Sequence, residues 1–90
     1  MAKAALRRAP AFVARLEEAL KREMPGADVA SEHIRARRYR FIVIWEEFSG
    51  VGHPERQRRV WDVAEREVPR PDLLDVGMIL TIAPEELPAA

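Results

Sequence analysis

The sequence has 90 residues, 15 of them basic and 15 acidic, and no cysteine. That length suits one small domain with a single core and little room for a deep catalytic cleft. The balanced charge argues against a broadly basic nucleic-acid binder, and the missing cysteine excludes disulfides, thiolate metal sites and thiol nucleophiles.

Residues 1–9 are Ala-rich with few large apolar groups, so they are expected to be a flexible lead into the domain. Lys3, Arg7 and Arg8 precede an apolar stretch that Arg15, Glu17 and Glu18 interrupt, which denies it a signal-peptide core. No apolar run approaches the roughly 20 residues a membrane span needs. A cytoplasmic protein without membrane attachment is the expectation.

Phe12, Leu16, Leu20 and Met24 recur every fourth residue among charged neighbours, which predicts an amphipathic helix over 10–24. Pro10 suits its first turn and Pro25-Gly26 ends it. Between Ala27 and Arg40 the helical period is lost, and a short strand with a turn near Arg35 to Arg38 is predicted. Tyr39 to Glu46 then reads as the strongest strand, with Tyr39, Phe41, Val43 and Trp45 on one face. Ile42 and Ile44 make its second face partly apolar as well, so either the neighbouring strand's surroundings or another subunit is expected to cover it.

Phe48 to Pro54 is a loop, and Pro54 with Glu55 opens a second helix reaching about Glu67, with Val60, Val63, Ala64 and Val68 buried and Trp61 at the margin. Pro69 and Pro71 stop it. Asp72 to Asp75 can form one helical turn, Val76 to Ile82 is a third strand, and Pro84 to Glu86 a last turn before a disordered end at 88–90. The predicted class is therefore α+β: a two-layer sandwich of α-β-β-α-(short α)-β order spanning 10–87, with a three-stranded sheet and its helices on one face.

Three stretches resemble the BolA family. Phe48-Ser49-Gly50 followed by Arg56-Gln57-Arg58-Arg59-Val60-Trp61 is similar to a strand ending in Phe-x-Gly and a helix carrying Arg-His-Arg-x-Val-aromatic. Met78-Ile79-Leu80-Thr81-Ile82 with Ala83-Pro84-Glu85-Glu86 resembles the family's last strand and its Thr-Pro-Glu-Glu, and Met24-Pro25-Gly26-Ala27 falls at its helix-to-strand turn. The resemblance covers about residues 12 to 87. It implies a class II KH-like fold and either nucleic-acid binding in regulation or partnership with a monothiol glutaredoxin around a [2Fe-2S] cluster. The family's two histidine positions correspond to Gln57 and Asp75, and where its hairpin offers Cys or His this chain has Ile34 to Arg38. Amide and carboxylate are poor matches to iron beside imidazole and thiolate. No resident cofactor is expected.

The sharpest binding chemistry lies in arginines. Arg35, Arg37, Arg38 and Arg40 fall on the hairpin, and Arg56, Arg58 and Arg59 on the second helix behind Gly50 and Gly52. Guanidinium forks and helix N–H groups suit phosphate oxygens, so these residues form a candidate nucleic-acid surface. Gly50-Val51-Gly52-His53 is not the GXXG of a KH loop, and Glu46, Glu47, Glu55, Glu65 and Glu67 stand near enough to leave an ordinary solvated surface instead. The competing candidate is a protein or homodimer interface at Ile42, Ile44 and Trp61. His33 and His53 alone make no metal signature. Without a nucleophile elbow around Ser31, Ser49 or Thr81, catalysis is not expected.

Overall fold

The computed structural model describes residues 9–88. The segments expected to be loose, 1–9 and 88–90, fall outside that range except for Ala9 and Pro88, which belong to no helix or strand. The order is α1 (Ala11–Glu23), β1 (Asp28–Arg35), β2 (Arg38–Ile44), a 3-10 turn (Glu46–Phe48), α2 (His53–Glu67), the one-turn α3 (Arg70–Leu73), β3 (Val76–Ile82) and a second 3-10 turn (Pro84–Glu86).

α1 forms because Phe12, Val13, Leu16, Ala19 and Leu20 fall on one stripe and bury there, while Lys21 and Arg22 favour its negative end. It stops at Met24, and Gly26, with φ of 89°, turns the chain left-handed into β1. β1 and β2 pair antiparallel around Ala36-Arg37, with Ala30 opposite Ile42 and Glu32 opposite Arg40. β2 and β3 pair in parallel, Ile42 opposite Leu80, so β2 is central. A parallel pair needs a long crossover. α2 supplies it, entered through Gly52 with Pro54 in its first turn and left at Val68 before Pro69.

Both long helices cover the same face of the sheet. Phe41, Val43 and Ile79 point into them, and Leu16, Leu20, Phe48, Val60 and Ala64 complete the core. Each fully buried Leu or Phe there contributes about 1.5–3 kcal/mol. Ion pairs of Arg22 with Glu67 and Arg66 with Glu23, both at 3.2 Å, tie the helices at the surface, where such pairs add at most about 1 kcal/mol.

β2 ends at Ile44, short of the predicted Glu46, with Trp45 N–H making a last bond to Ile82 O. The Trp45 indole Nε1 donates to Pro25 O at 2.9 Å and its ring meets Phe48 edge to face, so the chain bends into the 3-10 turn instead of extending to Glu46. β1 is longer than predicted, because pairing with β2 continues to Arg35 through residues too polar to show a strand period.

Candidate interaction surfaces

α2 runs beside the outer edge of β3 and sends two polar side chains towards it. Arg56 is 3% exposed and fully engaged. Its Nε donates to Val51 O at 2.7 Å, Nη1 to Thr81 O at 3.0 Å, and the fork grips Glu86 with two bonds of 2.8 Å. Its guanidinium also lies 5.5 Å from the centre of the Phe48 ring. The hydrogen bond from Arg56, helped by the N–H of Ala83, lowers the Glu86 carboxyl to about 2, and the same hydrogen bond raises Arg56. Gln57 follows: Nε2 donates to Ile79 O at 2.8 Å and to Thr81 Oγ1 at 3.3 Å, and Oε1 accepts from Trp61 Nε1 at 3.1 Å. A groove of about 510 Å³ lies at this edge, lined by Met78 to Ile82 together with His53, Gln57, Glu86, Leu87 and Pro88.

The arginines expected to act together are spread over the molecule. Arg56 is structural, so the expectation that its fork faces phosphate is corrected by its burial and by three protein acceptors. Arg37 bonds Asp75 at 3.0 Å and Asp72 at 3.3 Å, Arg40 pairs with Glu32, and Arg58 with Glu55. Arg59 stands over the Trp45 ring, 5.5 Å from its centre. Arg35 and Arg38, at the hairpin end, are exposed and make no ion pair among the described residues. Arg37 marks the start of β3 through Asp75, whereas Arg56 marks its end through Thr81. Six residues of strand separate those points, about 20 Å. Gly50, with φ of 77°, and Gly52, the cap of α2, lie at the Arg56 end.

The sheet's other face carries no helix. Strand alternation places Ala30, Ile42 and Leu80 in one row across it, Ile44 beside Ile82 in the next, and Glu32, Arg40 and Met78 on the far side. Ile42, Ile44, Leu80 and Ile82 are half-buried, Met78 is 45% and Ile34 48% exposed. Trp61 belongs elsewhere: half-buried, it packs against the core from α2.

No family model matches the chain, and no curated protein matches it. Solved structures do. BolA1 from Arabidopsis thaliana superposes with a TM-score of 0.61 at 19% identity, covering 83% of this chain and 94% of that one. The BolA domain of SufE1 from the same plant gives 0.64 at 17%, over 89% and 100%. A bol-like protein from Babesia bovis gives 0.50 at 15%, over 90% of each.

The chain has a BolA-like fold.

On this BolA-like frame the residues do not fit the iron-sulfur cluster that the resemblance implies. Both ends of the Gln57 amide are occupied, and Asp75 is held by Arg37 in the turn before β3. Asp75 precedes Ile79, the residue Gln57 touches, by four residues, about 13 Å of strand, so the two positions do not converge. Gln57 shares its groove with His53 and Met78, not with Asp75. Among the described residues no group of three His, Asp or Glu is placed to hold a metal. The spacing could have exposed Arg56: it stands four residues before Val60 and so belongs to the buried stripe of α2.

Proposed function

We propose that this chain is a non-catalytic adaptor or regulatory module of BolA-like fold that binds another protein through the helix-free face of its sheet. The observation that supports this reading is the apolar surface of Ile42, Ile44, Leu80 and Ile82, extended by exposed Met78, on a rigid sheet whose opposite face is already filled by α1 and α2. A contiguous apolar surface rimmed by charge, here Glu32 and Arg40, is the kind a protein partner covers. One of the superposing structures is itself a BolA domain of a larger protein, SufE1, which is in keeping with a module that works next to a partner. A second copy of the chain is one such partner.

Photo-crosslinking tests this directly. A crosslinking residue placed at Ile42 or Leu80 is expected to give discrete adducts in extract, and one at exposed Glu18 on α1 is expected to give none. Adducts from Glu18 alone would overturn the reading.

A second reading rests on Arg35 and Arg38, the exposed hairpin arginines without an acidic partner among the described residues. In this reading these two alone offer their forks to phosphate, since Arg58 pairs with Glu55 and Arg59 stands over Trp45. Binding to labelled oligonucleotides that weakens steeply with salt, and that is lost in Arg35→Glu/Arg38→Glu, is its signature. Binding that is absent at low salt excludes it.

A further inference from the structure

We propose that Arg56, Gln57 and Glu86 close the outer edge of β3 to the addition of another strand.

β3 is an edge strand, and a bare edge is a template for pairing with any extended chain. In the parallel ladder Tyr39 N–H bonds Asp75 O and Trp45 N–H bonds Ile82 O, so odd-numbered residues of β2 make the contacts to β3. The backbone groups of Ile79, Thr81 and Ala83 then point away from β2, to the outside. Each of those three residues has an outward group occupied by a side chain. Gln57 Nε2 takes the Ile79 carbonyl, Arg56 Nη1 takes the Thr81 carbonyl, and Glu86 accepts the Ala83 N–H at 2.9 Å. The three side chains also hold one another, since Glu86 bridges to Arg56, while Trp61 fixes the amide of Gln57. An incoming strand needs both the N–H and the carbonyl of alternate residues. Here it would have to displace a fixed amide and a buried guanidinium before the Ile79 or Thr81 carbonyl could accept a ladder bond, so a continuous register cannot form.

Gln57 needs no ligand chemistry, because its donor is spent on the backbone. The closed edge directs strand-like partners away from β3, leaving the helix-free face and β1 to them.

Gln57 is the only side-chain amide in the sequence, so its NH₂ pair gives one unambiguous signal in a nitrogen–proton correlation spectrum. In the native protein that pair is expected to exchange with water up to about tenfold more slowly than in the urea-unfolded chain, the factor a net hydrogen bond supplies. An amide exchanging as in the unfolded chain overturns the proposal. Gln57→Leu keeps the side chain's bulk, and Arg56 and Glu86 stay in place to hold the fold. With its spectral dispersion retained, this variant is expected to gain concentration-dependent mass, with concentration-dependent shifts at the Ile79 and Thr81 amides. A folded Gln57→Leu that matches the wild type in both respects contradicts the proposal, as does wild-type association that shifts those two amides.

Discussion

At the residue scale, Arg56 and Glu86 join the start of α2 to the end of β3, and their chemistry sets a pH dependence. Glu86 falls from the ordinary glutamate value of 4.5 to about 2 because the charged carboxylate accepts from Arg56 and from Ala83 N–H. A carboxyl lowered in the folded state stabilises it fully above its unfolded value, and the contribution disappears as pH falls from about 4.5 through about 2. Thermal unfolding across that window is expected to show a melting temperature that drops in the wild type and drops less in Glu86→Gln. Equal acid slopes for the two proteins would contradict the assignment. Arg56→Met is expected to lower the melting temperature far more than Arg58→Ala, because it leaves the Thr81 and Val51 carbonyls and Glu86 without their donor, whereas Arg58 is exposed. Charge type alone pointed to a surface for both arginines; only the spacing of Arg56 to Val60 carried its burial, and no local pattern names Val51, Thr81 and Glu86 as its acceptors.

At the scale of elements, the legible parts were those in which one face is buried and the other wet. The period of Phe12, Leu16 and Leu20 marks α1 to within a residue at each end, and the run from Val76 to Ile82 marks β3. β1 was legible only as a short strand because it is an edge strand, mostly exposed, whose full length depends on pairing with β2 rather than on its own composition. Trp45 ended β2 early through a bond to Pro25, a contact 20 residues back that no window along the chain contains. Two substitutions test the packing. Leu20→Ala, at a fully buried position, is expected to cost about 3 kcal/mol by denaturant unfolding, and a loss below about 1 kcal/mol would contradict its place in the core. Gly26→Ala has space for its Cβ, but its φ of 89° is strained for any L side chain, so a loss of about 1 kcal/mol is expected from the backbone alone. Unchanged stability would mean that this turn is not left-handed.

For the whole molecule, the decisive fact is where the topology puts residues that look alike in sequence. Seven arginines read as one patch are divided between the two ends of β3 and the helix surface, and several are matched to carboxylates or buried. Ile42 and Ile44, by contrast, join Leu80 and Ile82, which lie some 38 residues along the chain and reach them only through the parallel pairing of β2 with β3. Alternation in β2 announced that its second face was apolar, but the extent of that face depends on the crossover. The contrast between a dispersed charge set and an assembled apolar one is what favours a protein partner.

The most direct measurement compares the native size of the tagged chain in cells that express it naturally with that of two variants, Ile42→Glu/Leu80→Glu and Arg35→Glu/Arg38→Glu, each first shown to be folded. A wild type found in a larger assembly, released to the free chain by the sheet-face variant and retained by the arginine variant, is the predicted result. Release by the arginine variant alone, or a wild type that migrates as the free 10.3 kDa chain, would contradict a sheet-face adaptor.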